Sequence, residues 1–330
     1  MRYILSFILF FCGSCLLKAQ QLPILSEYAH NGFILNPGMT GWEGITSLSA
    51  GYRHQWTGMP ESPRTANLAF RHSADDLHMG YGGYFVHDQT GPTSFTGISL
   101  NYAYNIRFKP EVEGEYDRNR LSIGLSLSGL AYRLKGADLK YIDPDDALII
   151  QNSESQFFPD AGMGLFYQTD LYYFGLSVPQ IISMKVRFND DLALSAIRRV
   201  AHFYMNGGAK IKLKGGAFEH SKHQHHIIPS FWLKFAPVSP LNFNMNVQYM
   251  YDNLFTAGIG YSTDGSIIGD FNILFRDRYR LGYAFSMNVA GLGAQLGSNH
   301  EFMLAYTIQS SGKGWFNPKV EGPNWVDKLK

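Results

Sequence analysis

Four closely spaced histidines are the residues whose types most invite metal chemistry. His220, His223, His225 and His226 carry imidazoles, which bind zinc, and alternate positions of a strand project in the same direction. No sulfur ligand and only one carboxylate stand beside them in the polar stretch 215–226. Because a zinc site needs a complete set of ligands, we predict a solvated turn here and no metal or other cofactor.

A membrane hydrolase would need a nucleophile and a base held together. Candidate side chains are present at Ser177, Ser230 and His202. The sequence contains no nucleophile elbow, however, and no pattern that would bring these three residues to one place. We therefore predict that the protein is not an enzyme.

A tight connection concentrates arginine and tryptophan. Arg53, Gln55 and Trp56 precede it, and Arg64 and Thr65 follow it. The connection itself contains Gly58, Pro60 and Pro63. Because tryptophan and arginine dominate the energetics of interfaces, one interpretation is that these residues bind a partner strand or loop. The other is that they pack inside a barrel and brace its first hairpin, and the sequence leaves both open.

The N-terminus has the layout of a secretory signal peptide. Arg2 is followed by an apolar run at 4–11 and then by small residues up to Ala19, which predicts a signal peptide at 1–19. A lipoprotein cut before Cys15 is the less favoured alternative, because Cys12 stands where an aliphatic residue is expected. Cleavage after Ala19 would remove both cysteines and leave 26 basic against 27 acidic residues, since Arg2 and Lys18 go with the leader. This balance gives no general attraction to nucleic acid, so none is predicted as a partner.

Strict alternation of apolar and polar residues dominates the rest of the chain. In one segment Ile98, Leu100 and Tyr102 alternate with Ser99 and Asn101. A soluble sandwich would bury the apolar face, whereas a membrane barrel would turn it to lipid and line its lumen with the polar face. The export signal, the tyrosines near strand ends and the long run of strands favour an all-β, transmembrane antiparallel barrel in the outer membrane, surrounded by its lipid.

Segment counting predicts about fourteen strands. They are 44–53, 64–73, 76–88, 93–108, 118–135, 156–169, 171–179, 199–214, 222–236, 240–251, 253–263, 265–277, 279–290 and 299–309. The predicted division is a signal peptide at 1–19, an N-terminal periplasmic segment at 20–43, the barrel at 44–309 and a C-terminal tail at 310–330. An even strand number puts the long connections 136–155 and 180–198 outside the cell. The sequence does not decide whether the lumen is open or plugged.

Several short motifs are distributed along the mature chain. The first is Asn36-Pro37 with Gly41, close to the predicted mature N-terminus. The strongest is the run 52–65, with Arg53, Gln55, Trp56, Gly58, Pro63, Arg64 and Thr65. Further motif positions are Asp88, Thr90, Gly91, Asp160, His300 and Glu301. Together these motifs resemble those of the PorP/SprF family, outer-membrane proteins of the type IX secretion system in Bacteroidota, and the chain departs from the family pattern at Gly38, at His54 and in its tail.

The resemblance implies a non-enzymatic role in secretion. Members of the family support the export, anchoring or presentation of surface adhesins, including those of gliding motility. The implied partners are the C-terminal domain of a secreted adhesin and periplasmic components linked to peptidoglycan. The alternative from a different class is a general porin or solute channel, which should conduct ions in a planar bilayer.

Overall fold

The computed structural model describes residues 31–74, 78–108, 119–139, 153–182, 185–187, 196–198, 200–214, 223–237, 239–289 and 291–310. The predicted signal peptide, residues 20–30 and nearly all of the predicted tail lie outside these ranges. The strands are β1 Ile45–His54, β2 Arg64–Ser73, β3 Met79–Thr90, β4 Thr93–Arg107, β5 Arg120–Lys135, β6 Ser153–Gln168, β7 Tyr172–Val178, β8 Lys185–Arg187, β9 Ala196–Arg198, β10 Phe203–Ala209, β11 Ile211–Lys212, β12 His225–Ala236, β13 Ser239–Tyr251, β14 Phe255–Ser262, β15 Ser266–Phe275, β16 Tyr279–Asn288 and β17 Ser298–Ser310.

Fourteen of these strand positions close into one antiparallel barrel. β10 and β11 both pair with β12 and together fill one position, while β8 and β9 form a separate hairpin. The first and last strands close the ring, because β1 pairs with β17 from Ile45 opposite Ser310 to His54 opposite His300. The predicted fold class and strand number are therefore confirmed, and the predicted boundaries lie within about four residues of those observed.

The two faces of the wall settle the ambiguity of the alternating pattern. Along β4 and β5 the exposed outer residues are apolar: Leu100, Leu125 and Leu127 are 68%, 57% and 71% exposed. The inward residues are small or polar, and Ser99 and Asn101 are buried. An apolar outside and a polar inside are the arrangement of a barrel in lipid and the reverse of a soluble sandwich.

The two ends of the barrel differ in their connections. The chain enters at Ile45 and leaves at Ser310 at one end, which we call the terminal end. The strand ends that flank the two longest connections, 136–152 and 179–202, lie at the opposite end, which we call the loop end. In outer-membrane barrels the longer connections face the cell exterior. No helix in the described part of the chain is long and apolar enough to span a membrane.

The lipid-facing wall gives a first prediction. Leu127 lies in the middle of β5 and Phe157 near the loop end of β6, and they are 71% and 72% exposed. We expect Leu127→Arg to destabilise the barrel by about 2–4 kcal/mol and Phe157→Arg by about 0–1 kcal/mol, because a charge costs most at the bilayer midplane. Unfolding by urea in lipid vesicles, followed by tryptophan fluorescence, measures both. Equal costs at the two positions would show that the assigned depth is wrong.

Candidate functional site

The most unusual feature of the interior is a stretch of chain that belongs to no barrel strand. Residues 31–43, here called the N-terminal plug, run through the lumen as two 3-10 turns, Gly32–Ile34 and Pro37–Met39. Asn36 and Thr40 have no exposed surface, and Phe33 and Trp42 are 1% and 2% exposed. The lumen is therefore occupied. Residues 31–43 lie inside the barrel and not in the periplasm, which corrects the predicted location of this part of 20–43. For residues 20–30, which lie outside the described ranges, the periplasmic location stays a prediction.

Asn36 fastens the plug to the wall. Its Oδ1 accepts a hydrogen bond of 2.9 Å from the backbone N–H of Gly38, which caps the turn Pro37–Met39. Its Nδ2 donates to the carbonyl oxygen of Leu165 at 3.2 Å and to Oδ1 of Asn206 at 3.3 Å. Pro37 suits the first position of this turn because its φ is already fixed there and it has no N–H to satisfy. The Asn-Pro pair thus forms the turn and bonds it to β6 and β10.

Glycines on the inner wall make room for the plug. A Cβ at Gly124 would lie 2.2 Å from the backbone nitrogen of Gly38, and one at Gly164 would lie 2.1 Å from Oδ1 of Asn36. Gly41 has a φ of +77° and lies against the Cα of Gly80. Any side chain at these wall positions would collide with plug backbone or with Asn36. Sequence reasoning missed this contact surface, since its only signal was the small and polar face of the alternating strands.

Apolar packing holds the other side of the plug. The ring of Trp42 meets Phe166 edge-on at 5.2 Å and lies 5.4 Å from Tyr173, measured between centroids. Phe33 meets Tyr84 edge-on at 6.3 Å. These side chains belong to the larger hydrophobic cluster of the interior, which also contains Leu35, Met39, Ala69, Tyr204, Ile228, Trp232 and Met250. The main apolar core of the described structure therefore lies between plug and wall.

A buried ion pair closes the end of the plug nearest β1. Nη2 of Arg71 lies 2.9 Å from Oε2 of Glu43, and both side chains are almost fully buried. Nε of Arg71 also donates to Oγ of Ser47 at 2.8 Å, and Arg120 donates to the carbonyl oxygen of Trp42 at 2.6 Å. Burial raises the pKa of the Glu43 carboxyl above its ordinary value, and the Arg71 charge opposes this shift.

The arginine and tryptophan motif of the loop end is divided between the two faces of the wall. Arg53 faces the lumen, where its Nε lies 3.9 Å from Oε2 of Glu301. Arg64 is exposed, because it pairs with His54, the neighbour of Arg53, and so points the other way. The structure thus does not bring Arg53 and Arg64 together on one surface. Arg53 therefore contacts the interior of the barrel, and Arg64 is the arginine of the motif that is exposed on the other face.

The connection 55–63 is held against the connection that precedes β17. Trp56 is half-buried with a φ of +51°, and its N–H donates to Oδ1 of Asn299 at 2.9 Å. The N–H groups of Thr57 and Gly58 donate to the carbonyl oxygens of Ser298 and Leu296 at 3.0 and 3.1 Å. Gln55 donates its N–H to the carbonyl oxygen of Pro63 at 2.9 Å. A network of backbone bonds therefore holds the connection 55–63 in a fixed position.

The neighbouring hairpin is organised by Asp88. Its Oδ1 accepts a hydrogen bond of 2.6 Å from Thr65, and Oδ2 accepts one of 3.4 Å from Thr90. Gly91 adopts a φ of +53° in the turn between β3 and β4, and its N–H donates to the carbonyl oxygen of Glu61 at 3.1 Å. These bonds join the β2, β3 and β4 ends to the connection 55–63.

Asp160 lies apart from that motif, whereas His300 lies beside it, opposite His54 of β1. Oδ1 of Asp160 accepts from the N–H groups of Ala161 at 2.8 Å and Ile182 at 3.0 Å, which ties the start of the connection 179–202 to β6. His300 shares hydrogen bonds with the hydroxyls of Tyr283 at 2.9 Å and Ser298 at 3.0 Å. The predicted site residues therefore form several local fastenings along the barrel and no single reaction centre.

The histidine run lies near the terminal end of β12. His223 is paired with Asp252, and His225 shares a hydrogen bond of 2.6 Å with the Tyr249 hydroxyl. Among the described residues no three histidine, cysteine or acidic side chains are grouped as metal ligands. His220 lies outside the described residues, so the absence of a metal stays a prediction.

Comparisons with known proteins place the chain among membrane proteins of one secretion system. The model of the family described as type IX secretion system membrane protein PorP/SprF matches residues 17–306. None of the curated proteins compared with the chain matches it.

Solved structures of outer-membrane barrels are similar to the chain at low identity. Outer membrane protein Omp33 of Acinetobacter baumannii is 6% identical, with a TM-score of 0.44 over 82% of this chain and 100% of that chain. The CymD monoaromatic hydrocarbon channel is 14% identical, with a TM-score of 0.45 over 85% and 92%. The KdgM porin is 9% identical, with a TM-score of 0.37 over 80% and 99%. At these scores the likeness carries no inference about function.

The buried ion pair of the plug gives the second prediction. We expect Glu43→Ala to lower the free energy of unfolding by about 3–5 kcal/mol, because it leaves the Arg71 charge buried without its carboxylate. The double variant Glu43→Gln with Arg71→Met should recover much of this loss, since neither charge is then buried. Urea unfolding in detergent micelles measures all three proteins, with Glu61→Ala, at an exposed carboxylate, as the matched control. An unchanged midpoint for Glu43→Ala would contradict the role of the pair.

Proposed function

Because the chain belongs to the PorP/SprF family of type IX secretion system membrane proteins, we propose that it is a non-enzymatic component that supports export, anchoring or presentation of surface adhesins. The family match spans residues 17–306 and therefore nearly the whole barrel. That match is the observation which carries the proposal. The outer-membrane location follows from the same family and from the barrel itself.

The filled lumen supports a scaffold and argues against a permanently open channel. The plug occupies the interior with Asn36 and Trp42 fully buried, so an unfolded adhesin has no free path through the barrel as described. Adhesins would then be held at the surface of the protein. The general porin stays the alternative, and it requires conductance from the unmodified protein.

The loop end offers a surface suited to a protein partner. Arg64 is exposed, Met59 is 42% exposed, and Trp56 is half-buried beside them in the chain. Arginine, tryptophan and methionine are enriched in protein interfaces. The backbone bonds of Thr57 and Gly58 hold the connection in place, so little ordering entropy is lost on binding. We assign the C-terminal domain of a secreted adhesin to this surface.

The opposite end would meet the periplasmic partners. The chain enters β1 and leaves β17 there, and the short connections at 169–171, 252–254 and 276–278 also lie at this end. Periplasmic components linked to peptidoglycan are the partners that the family suggests. A barrel that binds them at one end and an adhesin at the other would couple the cell-surface protein to the cell wall.

The third prediction tests the adhesin surface. We expect Arg64→Ala combined with Met59→Ala to lower the amount of adhesin on the cell surface about tenfold, which corresponds to a binding loss of about 1.4 kcal/mol. Both side chains are exposed, so the barrel should keep its heat-modifiable migration on gels. Arg133→Ala removes an exposed arginine of β5, three strands away from Arg64 in β2, and is the matched control.

Surface labelling of adhesin and a gel-shift assay of the barrel are measured in the same cells. Normal adhesin display with a normal barrel would refute the assignment of this surface. A fall in the control variant as well would show that the loss is not specific to the surface formed by Arg64 and Met59. Steady ion conductance of the purified wild-type protein, with normal adhesin display after its deletion, would favour the porin.

A further inference from the structure

We propose that the barrel is a closed pore and that the N-terminal plug is its removable seal. Displacement of residues 31–43 would open an aqueous passage for ions and small hydrophilic solutes. This activity goes beyond the scaffold role, and it would hold whether or not the loop end binds an adhesin.

The plug is attached in a way that permits its removal. Its own backbone hydrogen bonds are local, as from Leu35 to Gly32 at 3.0 Å and from Met39 to Asn36 at 2.9 Å. The fourteen barrel positions pair with one another all round the ring without it. Among the described residues the plug is held instead by side-chain bonds, ring contacts and the ion pair of Glu43 with Arg71. Its departure would therefore break no bond of the strand ladder.

The side-chain fastenings of the plug reach only part of the wall. They run from Ser49 to Asn31, from Asn101 to Phe33, from Ser177 to Leu35, from Asn36 to Asn206 and from Arg120 to Trp42. The strands concerned are β1, β4, β5, β7 and β10, and Arg71 adds β2. Asn36 also bonds the carbonyl oxygen of Leu165 in β6, and Asn31 bonds the sulfur of Met303 in β17. In the described part of the chain, β13 to β15 join the apolar cluster through Met250, and the rest of their buried inner face is polar.

A row of amides and one carboxylate covers that remaining wall. Nδ2 of Asn244 donates to Asn242 at 2.5 Å. The two carboxylate oxygens of Asp270 accept from Asn246 and Gln248, each at 2.6 Å. A buried polar atom costs free energy unless it is hydrogen-bonded, and Oδ1 of Asn246 is buried without a partner, whereas apolar residues would fill a closed interior without this cost. Polar side chains in this position are expected in a barrel whose lumen holds water.

A wall glycine provides a variant that expels the plug. Gly124→Leu puts a Cβ 2.2 Å from the plug backbone at Gly38, and backbone cannot give way as a flexible side chain can. Gly269→Leu is the matched control, because a Cβ there has no atom within 4 Å. Thr40→Cys added to each variant reports the position of the plug, since a maleimide reagent reaches this fully buried residue only after displacement.

A disulfide tests the same idea without expelling the plug. A Cβ at Gly82 would lie 3.1 Å from Cγ2 of Thr40. In a disulfide the Cβ of one cysteine lies about 3 Å from the sulfur of the other. Thr40→Cys with Gly82→Cys should therefore lock the plug when oxidised and free it when reduced. Native cysteines occur only at 12 and 15, so mass spectrometry identifies the engineered bond.

The fourth prediction is a change in conductance across a planar bilayer. We expect Gly124→Leu to raise the open fraction about tenfold or more over wild type, with maleimide labelling at residue 40, while Gly269→Leu stays at the wild-type level. At high voltage the reduced double-cysteine protein should open and the oxidised one should stay closed.

Each result decides the inference. Labelling at residue 40 without added conductance would show that the lumen stays shut after the plug leaves, and would overturn it. If Gly124→Leu fails to insert or is not labelled, the double-cysteine protein decides, and equal conductance in its two redox states would overturn the proposal. Adhesin display plays no part in these readouts, so they are independent of the scaffold role.

Discussion

The pairing of β1 with β17 is the contact on which the rest of the structure depends. A strand edge inside a bilayer would expose N–H and C=O groups with no water to bond them, and each would cost several kcal/mol. Ten consecutive residues of β1, from Ile45 to His54, lie opposite residues of β17 in an antiparallel ladder. Closure fixes the circumference at fourteen strands. It thereby fixes the width of the interior that side chains or other parts of the chain have to fill.

Side chains of the wall and residues of the plug fill that interior together. Gly80, Gly124 and Gly164 remove side chains where the plug backbone lies on the wall. Phe166 and Tyr173 supply large rings where Trp42 needs packing. A wall with large residues throughout would have filled the lumen alone and excluded the plug. The glycines on one part of the wall and the aromatic residues on the neighbouring part therefore determine that the plug fits and where it runs.

Alternation predicted the strands well because lipid and lumen impose opposite chemistry on successive residues. The plug was not predicted, since its residues form no periodic pattern and contact strands more than a hundred positions away, such as Leu165 and Asn206. The Asn36-Pro37 motif signalled a family and not a role. The grouping of Arg53 with Arg64 in one motif came from their nearness in sequence. Strand parity separates them, because the pairing of Arg53 with Thr65 turns Arg64 to the other face.

The chain connection gives the proposed opening a direction. Only Gly44, with a φ of +68°, separates Glu43 of the plug from Ile45 of β1. Ile45 lies at the terminal end of the barrel, so the plug is tethered at that end. The fastenings farther along the plug, at Asn36 and Asn31, have no covalent restraint of this kind in the described chain. A plug released from them would turn about Gly44 and leave through the terminal end, which is the side on which periplasmic components would act.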